Sequence, residues 1–221
     1  MKRMVLLLAL AFLLVPSAAL ADTYLDFNIS APTAGTISYD PLLGPLVGSG
    51  ITVDSVVGVN TPVNAGVAIP LTNGVLNFQT GPLTGWIANN WYFGGAPYPG
   101  SYITISDDSG TTGTTWMSGW FGEATVIAVG KGTYRVAVSS FSDYKAPELL
   151  NFYGLGAYSG SVLAGNFNIS FAASGLPPYG FTSTTIYSGD VTNPVPEPGT
   201  LALLGTGLLG IAGLIRRKLA I

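Results

Sequence analysis

The sequence predicts an all-β fold, an antiparallel β-sandwich of jelly-roll-like build, set between an N-terminal export signal and a single C-terminal membrane helix. Three observations lead to this class. Short runs rich in Val, Ile, Thr, Tyr and Phe recur along the middle of the chain, and clusters of Gly, Pro, Asn, Asp and Ser separate them. No stretch of that middle region holds a helical period. The 221 residues include 30 Gly and 15 Pro, which supply many turns.

In chain order, Lys2 and Arg3 precede an apolar run over 4–15, then Pro16 and the small-residue triplet Ala19-Leu20-Ala21. A positive start, a short apolar stretch and a small-residue processing site define a secretory signal peptide over 1–21, so the mature chain is expected to begin near Asp22. Residues 22–194 then form one exported domain, long enough for a substantial core. Its expected strands are 23–30, 35–39, 50–57, 66–71, 75–80, 85–93, 101–106, 124–129, 133–141, 149–153, 161–172 and 181–188. Tyr102-Ile103-Thr104-Ile105 and Tyr134-Arg135-Val136-Ala137-Val138 alternate with period two, as half-buried strands do. Turns are expected at Asn73-Gly74, at Asp107-Asp108-Ser109-Gly110 and at Gly130-Lys131-Gly132. The tetrapeptide Phe-Asn-Ile-Ser occurs at 27–30 and again at 167–170. Its spacing of Phe and Ile is ordinary strand-core chemistry and is read as similar burial of two strands.

The tail, 195–218, has three parts. Pro196-Glu197-Pro198 fixes two φ angles and removes two backbone donors, which keeps the segment extended and outside helix or sheet. Residues 200–215 carry no charge, and as a helix they span about 24 Å, bridgeable to the roughly 30 Å hydrocarbon core. Arg216, Arg217 and Lys218 follow at once and are expected to stay on the cytoplasmic side. Ala202, Thr206 and Gly210 add a small-residue face suited to close helix contact in lipid.

This Pro-Glu-Pro segment, short Gly- and Leu-rich span and terminal Arg cluster resemble the sorting tail of PEP-CTERM proteins. The stretch 25–82, including 34–39 and 45–51, is similar to the start of the passenger region in other such proteins. The resemblance implies an exosortase, a membrane-embedded processing enzyme, as partner. It also implies an inner-membrane-anchored precursor in a Gram-negative bacterium, later released to the cell surface or extracellular matrix in association with exopolysaccharide and biofilm.

Chemistry is bounded by absences. With no Cys and no His, the chain has no disulfide, thiolate nucleophile, imidazole base or conventional zinc or haem site. Within 22–194, three cations face ten carboxylates, a net charge of −7, which disfavours nucleic acid and electrostatic docking on anionic lipid. Aromatic residues gather between 86 and 121. Trp86, Trp91, Trp116 and Trp120 could form a glycan-binding platform, though large rings are also ordinary core fillers. A carboxylate-dependent glycoside hydrolase would need Asp107 or Asp108 to converge with Glu123, and Asp107-Asp108 reads more simply as a solvated turn. Lys145, Glu123 and Glu148 read as scattered surface charges. No calcium-loop spacing is present, so no metal and no cofactor are expected. The expectation is a non-enzymatic exported protein whose mechanism is placement.

Overall fold

A computed structural model describes residues 22–41, 44–94, 100–107, 113–175, 177 and 179–195. The expected signal peptide (1–21), membrane helix (200–215), Pro196, Glu197, Pro198, Arg216, Arg217 and Lys218 lie outside the described residues. Among the described residues no helix is long and apolar enough to cross a membrane.

The strands are β1 (Tyr24–Ile29), β2 (Thr36–Tyr39), β3 (Pro45–Val59), β4 (Ala68–Ile87), β5 (Asn90–Phe93), β6 (Tyr102–Asp107), β7 (Thr115–Gly130), β8 (Thr133–Lys145), β9 (Leu163–Ala173) and β10 (Phe181–Pro194). One helix, α1 (Pro147–Phe152), and a 3-10 turn, Gly156–Tyr158, join β8 to β9. All ten strands belong to one antiparallel sheet, and its ladders return to their starting point. β3 pairs with β4, β4 with β5 and β6, these with β7, and then β8, β9 and β10 follow in sequence. β10 pairs with β1 and β2, both of which pair back to β3. β1 and β2 share one stave between β3 and β10, just as β5 and β6 share one between β4 and β7.

The expected sandwich of two separate sheets is thus replaced by one sheet rolled shut. The physical reason is strand length. β3, β4, β7, β8 and β10 are long strands with register shifts along them, and such bulges let one strand bend from one side of a barrel to the other. Closure also removes the free edges that invite aggregation. Asn73-Gly74, expected as a hairpin turn, lies inside β4. Asn73 there has φ 58°, and the partner strand shifts register between Val53 and Ser55. Gly74 is required at this point because a Cβ would stand 2.4 Å from the Val53 carbonyl oxygen. The expected strand 85–93 is split by a hairpin turn at Ala88-Asn89, where Ala88 has φ 52°. The turn at Lys131-Gly132 is present as expected, with Lys131 at φ 40° and Gly132 at φ 78°.

Side chains fill the barrel. Leu25, Phe27 and Ile29 of β1 point inward, as do Phe167, Ile169 and Phe171 of β9. Phe78 meets Phe121 and Phe167 at ring distances of 5.6 and 5.1 Å, edge to face. Outward positions on the same strands hold Asp26, Asn28, Asn166 and Asn168. This is the reverse of a lipid-embedded barrel, whose outer face is apolar and whose lumen is polar. The two Phe-Asn-Ile-Ser copies flank β10 in matching register: Phe27 and Phe167 face Val191, Asn28 and Asn168 face Asp190, and Ile29 and Ile169 face Gly189.

The ends of the barrel differ. One end carries the turns after β2, β4, β7 and β9. The other carries the 60–67 connection, α1, the start of β1 and the end of β10. Residues 149–153, expected as a strand, form most of α1 and its exit. Pro147 in the first turn costs no hydrogen bond, and Glu148 complements the helix N-terminus. Leu149 and Leu150 are buried. Tyr153 seals this end: its ring is fully buried and its hydroxyl lies 2.9 Å from the Val56 carbonyl oxygen and 2.8 Å from that of Val67. Burial pushes the phenol up in pKa, opposed by the Gly58 and Ile69 backbone amides.

Candidate functional site

The last strand leads straight into the tail. Tyr24 faces Pro194 across the β1–β10 ladder, and the next residue, Val195, is buried and donates its N–H to the Thr23 carbonyl at 2.7 Å. The last described residue, Val195, is thus tied to the barrel, and in the sequence Pro196 follows it at once. Both termini of the domain leave side by side from the α1-capped end. Exposed apolar side chains surround this exit: Val63 and Val67 from the 60–67 connection, Phe152 from α1, and Val162 before β9. Asn64 donates to the Phe152 carbonyl at 2.8 Å, and the Val63 N–H to that of Tyr153 at 3.2 Å, so the connection and the helix are tied together.

The four Trp residues are dispersed. Trp91 points into the barrel, is 6% exposed and belongs to the core. Trp86 faces it across the β4–β5 ladder but is 58% exposed at the opposite rim, beside Ile87 at the tip. Trp116 is half-buried with an unpartnered indole Nε1. Trp120 lies on the outer face of β7, with its ring 6.0 Å from that of Tyr144 at an interplanar angle of 56°. Tyr102 falls one step beyond the Ile103–Gly119 pair, level with Trp120. The outer sheet thus gathers Tyr102, Trp120 and Tyr144 across β6, β7 and β8, although the Trp120 and Tyr144 rings are not coplanar.

Asp107 and Glu123 do not converge. Asp107 donates its N–H to the Thr114 carbonyl at the start of β7, whereas Glu123 lies further along that strand. The run from Thr115 to Glu123 covers roughly 26 Å at 3.3 Å per residue. Paired glycosidase carboxylates stand about 5 to 10 Å apart. Asp108 lies outside the described residues.

A buried polar cluster went unread in the sequence. Lys145, expected at the surface, points into the barrel with a fully buried side chain and forms an ion pair with the Asp143 carboxylate, which is buried too. Asn193 of β10 is also fully buried; its Nδ2 donates to Asp143 Oδ2 at 2.5 Å and to the Ala164 carbonyl at 3.2 Å, while its Oδ1 has no partner. Phe27 places its ring centroid 5.7 Å from the Lys145 Nζ. Burial pulls the Lys145 amine down to about 8, against the pull of Asp143, and burial raises the Asp143 carboxyl despite its two partners. The register shift between Val138 and Phe141 hid this cluster. Inward positions run 134, 136, 138 before it and 141, 143, 145 after it, so simple alternation from Tyr134 sends Lys145 outward.

The site is thus a closed, core-filled β-barrel whose closing strand runs in sequence directly into a proline-bounded C-terminal tail. Residues 194–218 match the model of the PEP-CTERM protein-sorting motif, so the chain carries that motif, and with it processing by an exosortase from a membrane-anchored precursor. No curated protein and no solved structure matches the chain.

Proposed function

We propose that this protein is a non-enzymatic structural component of a Gram-negative cell surface or extracellular matrix, associated with exopolysaccharide or biofilm, and that its barrel is a rigid body delivered and oriented by the tail. One observation supports this reading: Val195, inside the matched sorting motif and next to Pro196, is buried and hydrogen-bonded to Thr23, so the motif begins on the barrel itself. Residues 196–199 span at most about 14 Å before the uncharged run begins. The headgroup layer on each side of a bilayer is roughly 5 to 8 Å deep. In the precursor, a tether this short holds the capped end against the lipid surface, where Val63, Val67, Phe152 and Val162 are compatible with an interfacial position. The opposite rim, with Trp86, Ile87, Val129 and Tyr179 exposed, then faces away from the membrane.

The test replaces Pro196, Glu197 and Pro198 together with Ala. A heavier form retained in the inner membrane is expected, and unchanged maturation would overturn the reading.

A second reading rests on Tyr102, Trp120 and Tyr144, which share one outer face and resemble a shallow sugar platform. Glycan-array binding by the exported protein that is lost in W120A and Y144A would favour it. Retained binding in both variants, or no binding by the parent, would remove it.

A further inference from the structure

We infer that Lys145 and Asn193 become joined by an intramolecular amide bond inside the folded barrel, with Asp143 carrying the protons. This goes beyond sorting and display and does not depend on either.

The placement of the three side chains carries the inference. They sit in an apolar interior lined by Leu25, Phe27, Met117, Phe141 and Leu163, all buried. A lone ion pair in such a place gains little, since apolar residues of similar volume are often as stable or more so. The arrangement is that of a reaction site. One oxygen of the Asp143 carboxylate holds the Lys145 amine, and the other holds the Asn193 amide nitrogen. The nucleophile and the group it would displace therefore share one proton carrier. Asn193 Oδ1, the oxygen of the carbon to be attacked, is buried and unpartnered. Space around the amide is tight: a Cβ at Gly165 would stand 2.4 Å from Asn193 Nδ2 and 2.2 Å from the Phe141 ring. Only glycine leaves the amide room beside that ring.

The chemistry balances without a cofactor, oxidant or reductant. In apolar surroundings the ion pair relaxes to its neutral form, as the Lys145 proton moves to Asp143. The lowered amine and raised carboxyl favour the same exchange. The Nζ lone pair then attacks Asn193 Cγ. Asp143 gives its proton to Nδ2 and takes one from Nζ. The Cγ–Nδ2 bond breaks, one molecule of ammonia leaves, an Nζ–Cγ amide remains, and Asp143 ends with one proton more than in the ion pair, the net transfer from Lys145. The new bond would connect the end of β8 to the end of β10, strands separated by β9. It would fasten β10 one residue before its end at Pro194, in a chain without cysteine.

Peptide mapping of the protein recovered after export tests this directly. Trypsin should fail to cut after Lys145, because its amine is acylated. After further digestion, the β8 and β10 peptides should remain joined, lighter by one ammonia than their sum. Asn193→Ala and Asp143→Asn should each restore cutting at Lys145 and yield two linear peptides. Linear peptides of full mass from the parent protein would overturn the proposal whether or not the variants fold. A cross-link persisting in folded Asp143→Asn would overturn the role given to Asp143.

Discussion

The two ends of the barrel are made of the same strands yet solve different problems. At the capped end, α1 and Tyr153 cover the core, the termini meet, and polar side chains lie inside. At the opposite end, turns of few residues close the hairpins, and Trp86 and Ile87 stand 58% and 70% exposed. The capped end is thus covered by buried side chains of α1 and Tyr153, whereas the far rim leaves Trp86 and Ile87 exposed.

The largest expected break in this contrast is Tyr153→Ala, which empties the seal of the capped end and should cost about 3 to 5 kcal/mol, read from denaturant midpoints. Glycine substitutions sharpen it. A Cβ at Gly58 would meet the Tyr153 ring at 2.4 Å, so Gly58→Ala should lose about 1 to 3 kcal/mol. Gly85, near the opposite rim, has nothing within 4 Å of its Cβ position, and Gly85→Ala should change stability by less than about 0.5 kcal/mol.

A smaller effect lies on the outer face between the ends. Burial, and then the Asp190 charge, raise the Asp26 carboxyl; burial raises that of Asp190. A folded-state value above the unfolded one means that ionisation opposes folding, so this pair should add stability as pH falls from neutral toward 3.8. Asp190→Asn should raise the melting temperature at neutral pH and flatten that dependence. The smallest effect belongs to the rim: Trp86→Ser should leave the melting temperature nearly unchanged, with a free energy within about 0.5 kcal/mol of the parent.

What could be read in advance follows from how each signal is encoded. The sorting tail is linear, with charge, apolar length and proline all adjacent, so its residues announced it. β1, β6 and β9 alternate cleanly, and their inward faces were visible. Closure was not, because it depends on long strands bending at bulges, and Gly and Asn inside β4 resemble a turn. α1 was missed because Leu149-Leu150-Asn151-Phe152 is too short to show a helical period, although Pro147 and Glu148 marked its start. Lys145 shows the same lesson: which face a residue takes depends on its position along a bulged strand.

The hydrogen bond from Val195 to Thr23, beside the antiparallel pair Tyr24 and Pro194, sets how the molecule answers mechanical load. Traction on the C-terminus acts on the extremity of β10, a strand held by ladders to β1 and β9. Among the described residues, load entering from the C-terminal side reaches the Val195–Thr23 bond first, then the positions of Pro194 and Asn193 opposite Tyr24 and Leu25.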